Sequence, residues 1–324
     1  MLTETALLQE IVAHPHEEDL WLVFADWLED RGDPRGELVR LRHGLTRSIE
    51  VEGRAGKESR LQELLAAGVE PITPTRTNSI GMKLSLIPPG KFLMGSPASE
   101  KNRMEWEDQV AVTLTRAFYL GETEVTQAQW KAVMGAEPWR DDDDDFQEGP
   151  EYPATYVSWD DAVAFCRNLT KQEHSAGRLA QGWRYALPTE AQWEYACRAG
   201  TTTAYSFGDD PALLGDYAWF IENAWDLGEE YAHEVRLKKP NAWNLYDMHG
   251  NACEWCADYW HHREIPNLSP QSDPTGPTED LGRVLRSGCG YKEAHYCRSS
   301  FRDGTLPTDR GDSLTFRLAA IPTE

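Results

Sequence analysis

The sequence predicts an α+β domain rich in loops, preceded by a small all-α unit. Three observations carry this. Residues 1–45 hold apolar side chains at helical spacing. Farther along, a few stretches carry helix-capping patterns. The rest alternates short apolar runs with turns rich in glycine, proline and tryptophan. The length of 324 residues suits one large domain with a small companion, and 40% hydrophobic with 27% charged residues is ordinary globular composition.

Leu7, Leu8, Ile11 and Val12 follow helical spacing until Pro15. A second stripe, Leu20, Val23, Phe24, Trp27 and Leu28, ends at Arg31-Gly32, where glycine suits a left-handed cap. Asp33-Pro34 offers an N-cap followed by proline at the first helical position, and Leu38, Leu41 and Leu45 continue the apolar face. Residues 46–78 read as one more polar helix and then a linker with two prolines and several threonines. The larger domain spans 79–324. Lys83–Ile87, 91–94 and Val110–Leu114 read as strands. Thr126 with Gln129 and Thr189 with Gln192 have capping-box spacing, closed by Gly135 and Gly200, and a further helix is expected over 160–171.

Asp and Glu number 54 against 32 Lys and Arg, for a formal charge of −22. Such acidity repels phosphate, so a nucleic-acid partner is excluded. No window holds about 18 continuous apolar residues, so no membrane span is expected. The start MLTETALLQEIV lacks a basic segment and an apolar core, so the chain reads as cytoplasmic. Six cysteines are too few for a disulfide scaffold. Residues 141–145 are five consecutive aspartates, expected as a solvated loop or a weak calcium or docking site. His261-His262 is the single histidine pair and forms no metal-binding pattern, and no phosphate-binding or nucleophile-elbow phrase is present. Arg310-Gly311-Asp312-Ser313 spells an adhesion tripeptide, read as chance.

The phrase EEDLWLVFADWLEDRGDPRGELVRL resembles a short helical companion domain of planctomycete and myxobacterial multidomain proteins. Seven further phrases occur in order: GMKLSLIPPGKFLMGS, FYLGETEVTQAQW, YPATYVSWDDAVAFC, YALPTEAQWEYACRAGT, NLYDMHGNACEWCADYW, RVLRSGCGYKEAHYCRSSFR and TFRLAA. Together they resemble the formylglycine-generating enzyme (sulfatase-modifying factor) family, whose fold is a variant of the C-type lectin fold. The resemblance implies that fold for residues 79–324. It also implies a copper(I) site of two cysteines spaced Cys-x4-Cys, which activates oxygen to oxidise a peptide cysteine. In this chain the first of those positions is Lys292 and the second is Cys297. Glu293 replaces the usual histidine, while Tyr296 is kept. A lone thiolate beside a lysine does not reproduce two-thiolate copper binding.

Cys289 stands at the serine of the family's Gly-Gly-Ser phrase, and Cys253 at a usual tryptophan. Cys253, Cys289 and Cys297 are therefore either an altered thiol site or small hydrophobes filling gaps. Cys166 and Cys197 match disulfide halves of secreted relatives, but Arg302 and Leu318 stand near the partner positions, so both are expected as buried thiols. Cys256 is expected to be structural. The resemblance further implies calcium on Asn251 and Glu254, and makes a second calcium site doubtful, because Tyr217-Ala218-Trp219 lacks the asparagine.

Two functions follow as expectations. The first is a ligand- or protein-binding member of the fold. Its surface would be 289–296 and 301–313, with Trp255, Tyr291, Lys292, Glu293, Tyr296, Phe301 and Asp303 as contacts. This layout also resembles the variable proteins of diversity-generating retroelements, whose diversified positions lie between similar anchors. The alternative is a copper- and oxygen-dependent thiol oxidase using Cys297 with Cys289 or Cys253. The helical unit would dock to a partner protein, and its removal would leave the larger domain folded.

Overall fold

The computed structural model describes residues 2–140, 147–261 and 269–323. The aspartate run 141–145 and His262 lie outside the described residues. The N-terminal unit is helical as expected: α1 (Glu4–Ala13), α2 (Glu18–Glu29), α3 (Arg35–Arg47) and α4 (Arg54–Ala66). Gly32 adopts the left-handed conformation, with φ of 69°. Pro34 is the N-cap of α3, and Asp33 supports it by accepting from the Arg35 amide at 3.0 Å.

The larger domain continues with β1 (Thr75–Thr77), β2 (Lys83–Ile87), β3 (Gly90–Met94), β4 (Val110–Leu114), β5 (Phe118–Gly121), α5 (Gln127–Met134), α6 (Trp159–Ser175), β6 (Trp183–Ala186) and α7 (Glu190–Arg198). After a long irregular stretch come β7 (Cys253–Trp260), β8 (Gln271–Ser272), β9 (Gly282–Arg286), β10 (Asp303–Thr305), β11 (Leu314–Thr315) and β12 (Ala319–Pro322). Helices α5, α6 and α7 all begin with capping boxes, from Thr126, Ser158 and Thr189. The left-handed end of α7 falls on Ala199, with φ of 47°, one residue before the expected glycine.

Three sheets result. One runs β1-β2-β5-β12-β6, entirely antiparallel. The second runs β10-β9-β7-β11, with β11 parallel to β7. The third runs β3-β4-β8. Ala319 and Ala320 are buried where β12 lies between β5 and β6. Trp130 stacks on Phe165 at 5.6 Å, and Phe316 meets Phe165 edge-on at 5.4 Å, which ties α5 and α6 to the segment before β12.

The helical unit shares its core with the larger domain. Leu38, Leu45, Leu61 and Leu64 pack in one cluster with Phe92, Val112, Tyr195 and Trp243. Buried Arg42 donates to Thr73 Oγ1 at 2.9 Å and to the carbonyls of Ala242 at 2.6 Å and Ile72 at 3.2 Å. Arg54 donates to the Gly200 carbonyl at 3.0 Å. A Cβ at Gly90 would lie 2.6 Å from the Thr46 carbonyl, so only glycine permits this approach of β3 to α3. Among the described residues, no helix is long and apolar enough to cross a membrane.

Buried ion pairs join the layers. Glu194 of α7 bonds Arg198 at 2.8 Å, and also bonds Arg286 of β9. Burial alone would raise its carboxyl pKa, but the two guanidinium groups hold it below the usual value. Asp258 of β7 accepts from the Glu190 amide at the start of α7, at 2.7 Å. Burial, then the Glu190 charge, pushes its carboxyl up to about 7. The folded chain therefore keeps a proton that the unfolded chain sheds, and stability falls as pH rises from about 4 to about 7. Asp258→Asn keeps an acceptor for the amide and removes that fall. The variant is expected to gain on the parent between pH 4 and 7, by a few kcal/mol at about 1.4 kcal/mol per pKa unit. Urea midpoints at pH 5 and pH 8 check this; a difference that does not grow with pH would refute it.

Candidate functional site

The turn between β9 and the short 3-10 helix Ala294–Cys297 carries the positions that the sequence singles out. It begins with Ser287 at φ 86° and Gly288 at φ 75°. The Ser287 hydroxyl is buried, donates to the Asp247 and Gly250 carbonyls at 3.1 and 2.9 Å, and accepts from the Gly250 amide at 3.0 Å. These bonds hold a residue with a Cβ in a conformation that glycine prefers. A Cβ at Gly288 would lie 2.8 Å from the Tyr296 carbonyl and 2.9 Å from Cys297 Sγ, so the turn closes tightly on itself.

The structure brings Cys253, Cys289 and Cys297 together. All three are buried free thiols. Cys253 and Cys289 lie in one buried cluster, and Cys297 Sγ, against Gly288, donates to the Glu293 carbonyl at 3.9 Å. The Cys253 thiol is pushed up by the neighbouring Cys289 thiol, then by burial, while burial raises Cys297. Burial would also raise Cys289, but the Cys253 thiol, the Tyr291 donors and the Lys292 charge bring it below the ordinary thiol value. Of the expected contacts, Lys292 lowers and Asp303 raises the Cys253 thiol through their charges.

Other expected contacts separate into surface and core. Tyr291 is 38% exposed, Glu293 and Asp303 are exposed, and Lys292 and Tyr296 are half-buried. Lys292 Nζ sits 5.4 Å from the Tyr291 ring and 5.3 Å from the Tyr296 ring. Trp255 and Phe301 belong instead to the core. Trp255 is fully buried, and its indole donates to the Val157 carbonyl at 2.8 Å. Phe301 is buried, edge-on to Tyr296 at 5.0 Å. Both lie where strand and turn face inward, so neither can touch a ligand.

The sequence reading missed Trp225 and Leu227. Trp225 is 39% exposed and Leu227 69%. Their segment bonds the turn through the Ile221 amide to the Lys292 carbonyl at 3.0 Å, and Trp225 meets Tyr291 edge-on at 5.9 Å. The signal available was a tryptophan and a leucine in a polar stretch ending at Gly228. The other flank of the turn opens on a cavity of about 670 Å³. Glu293, His295 and Arg298 line it from the turn, Glu100 and Asp209 from nearby loops, and Ala55 and Glu58 from α4.

The side chains assigned to calcium do not fit that ion. Both Glu254 oxygens bond Arg317 at 2.6 Å, and one also accepts from the Trp193 indole at 2.7 Å. Asn251 Oδ1 accepts from the His233 amide at 2.8 Å, and its amide group donates to Glu124 at 3.1 Å. A guanidinium already supplies the cation. Nearby, Glu124 Oε2 and Asp247 Oδ1 are buried without a hydrogen-bond partner among the described residues. Burial, and then neighbouring carboxylates, raise Glu124 well above the carboxylate range. Burial also raises Asp247, to about 6. At the second doubtful calcium position, Trp219 stacks on His233 at 3.7 Å under Lys238. The two-thiolate copper pair of the resemblance does not fit either, since Lys292 supplies no sulfur. Among the described residues, no group of three or more His, Cys, Asp or Glu side chains could hold a metal ion. Cys166, Cys197 and Cys256 are buried free thiols, and Arg310 of the tripeptide is spent on Asp161 and the Tyr156 carbonyl.

A sheet-and-loop domain of this form, closed by an Arg317–Glu254 pair beside a thiol-bearing turn, defines one class of protein. The model for the "Sulfatase-modifying factor enzyme 1-like domain" matches residues 71–321, and the chain belongs to that family. It is 28% identical over 311 residues to the formylglycine-generating enzyme of Streptomyces coelicolor, a match covering 78% of this chain and 94% of that one. To the bovine (Bos taurus) formylglycine-generating enzyme it is 31% identical over 212 residues, covering 60% of this chain but only 52% of the relative. Among solved structures, it is similar to Treponema denticola variable protein 1, with TM-score 0.65 and 30% identity over 78% of this chain and all of that one. It is also similar to PvdO from Pseudomonas aeruginosa, with TM-score 0.65 and 25% identity over 78% and 99%.

Proposed function

We propose that this chain is a ligand-binding member of its family that holds a polypeptide on the turn 289–296. The observation that carries the reading is Lys292. It removes one of the two sulfurs that the family chemistry needs and sets a cation between two tyrosines on the surface. Trp225, Leu227 and Tyr291 give rigid apolar area, and the adjoining cavity gives a polar wall. The acidic cavity and the net charge favour a polypeptide with basic side chains. Similarity to a variable protein supports a display role for this turn, and genomic sequence beside the gene, searched for a template repeat and a reverse transcriptase, tests whether it is diversified. On the helical unit, exposed Leu2, Val12 and Val23 are the positions open to a partner.

The convergence of three thiols favours the oxidase as the second reading, and one experiment separates the two. The reduced chain is titrated anaerobically with copper(I) against a chelator, then given oxygen and a cysteine peptide. No stoichiometric binding and no oxygen uptake are expected. One-to-one binding with uptake, both lost in Cys297→Ser, would make the chain an oxidase. In parallel, peptides selected from a random display library on the intact chain are expected to lose about tenfold or more in affinity to Tyr291→Ala and Trp225→Ala. Unchanged affinity would move the binding surface elsewhere.

A further inference from the structure

We propose that the cavity framed by α7, the end of β7 and the β3-β4-β8 sheet binds a small aromatic amine, with the ammonium group on Asp258. The cavity has a volume of about 230 Å³. Among the described residues, none of the turn 289–296 lines it, so the proposal does not rest on the polypeptide reading.

The body of the cavity is apolar. Met94 and Val110 come from β3 and β4, Ala191 from α7, and Pro274 and Pro277 from the loop after β8. Trp106 joins them, edge-on to Trp260 at 6.3 Å. A dry apolar cavity of about 150 Å³ admits benzene, so this one takes a single aromatic ring with a short arm. Thr275 and Gly276 of the lining loop are exposed, which gives a ligand its way in. Gly276, at φ 70°, lets that loop approach the Asp258 carboxyl: a Cβ there would lie 3.0 Å from Oδ1.

The polar lining decides the charge of the arm. Glu107, Asp108, Glu190, Glu194 and Asp258 line the cavity, and Arg302 is the guanidinium among them. Four of these acids already hold a cation. Glu190 is gripped by two nitrogens of Arg302, both at 2.6 Å. Glu194 bonds Arg198 at 2.8 Å, Glu107 bonds Arg298 at 2.8 Å, and Asp108 bonds Arg103 at 2.6 Å. Asp258 makes no ion pair among the described residues and accepts from the Glu190 amide at 2.7 Å. Arg302 is not free to turn to it, because the guanidinium is fixed on Glu190 and lies over the Trp260 ring at 4.8 Å. Burial has raised the Asp258 carboxyl to about 7, as expected where no cation compensates it. An ammonium supplies that cation. A carboxylate arm would meet the acids, and a hydroxyl would leave Asp258 uncompensated.

Calorimetry on the intact chain tests this at pH 8 and physiological salt, with phenethylamine, phenethyl alcohol and phenylacetate as probes. The amine is expected to bind one-to-one and about tenfold or more tighter than the alcohol, because its bond to Asp258 is charge-assisted. Phenylacetate is expected not to bind. Asp258→Asn, which keeps an acceptor for the Glu190 amide, should bring the amine down to the affinity of the alcohol and leave the alcohol unchanged. Ala191→Leu, which fills the cavity, should abolish binding of both. No binding of the amine, equal affinity for amine and alcohol, or a preference for phenylacetate would overturn the proposal on the parent chain alone. Amine binding that survives Ala191→Leu, or a preference for the amine that survives Asp258→Asn, would overturn it as well.

Discussion

Replacing Arg317 with methionine is expected to lower stability by about 3–5 kcal/mol, because it strips the cation from a fully buried pair. Arg317 and Glu254 are both completely buried, and the guanidinium also donates to the carbonyls of Gly121 and Tyr246 at 3.0 Å. Beside them lie Glu124 and Asp247, each with an unpartnered oxygen. Without Arg317, three acids share one dry region and must take up protons to remain there. The melting midpoint should fall by roughly 10 °C. Adding Glu254→Gln should restore part of the loss, since it removes one uncompensated charge. An unchanged midpoint would show that another cation balances these acids.

Removing residues 1–45 is expected to leave a chain that does not fold cooperatively. The cut deletes Leu38, Leu45 and Arg42, which seal a shared cluster and satisfy the carbonyls of Ile72 and Ala242. It uncovers apolar area around Phe92, Val112 and Tyr195 and leaves buried acceptors open, and each such acceptor costs about 1–3 kcal/mol. The resemblance of the N-terminal phrase to a helical companion domain suggested a detachable unit. The contacts argue for one joint core. Circular dichroism and urea unfolding of the truncated chain decide between them, and a soluble product with a sharp transition would show that the helices merely dock.

The helices were legible because their signals are local. Thr126 and Thr189 announce their capping boxes three residues ahead, and the stripe from Leu20 to Leu28 needs no tertiary partner to be recognised. The site was legible in part. Residue counting placed Lys292 and Cys297, and three cysteines scattered over 45 positions proved to be neighbours. What failed was the assignment of faces. Trp255 lies in a strand buried on both sides, so alternation carried no information about exposure. Phe301 follows an irregular turn with no period at all. Asn251 and Glu254 matched a calcium pattern by type, but Arg317 lies 63 residues beyond Glu254, and no local rule brings a guanidinium to that spot.

The position of β12 has a consequence for synthesis. This strand bridges β5 and β6, yet it comprises residues 319–322. During translation, everything upstream waits with an open seam: β5 on one side and β6 on the other, each exposing an edge to any passing strand. A nascent chain stalled before residue 319 cannot zip the sheet, however many helices it has formed. Completion thus falls to a late, long-range pairing, the slow kind. Any chain cut before residue 319 would keep β5 and β6 unjoined and leave the whole domain at the threshold.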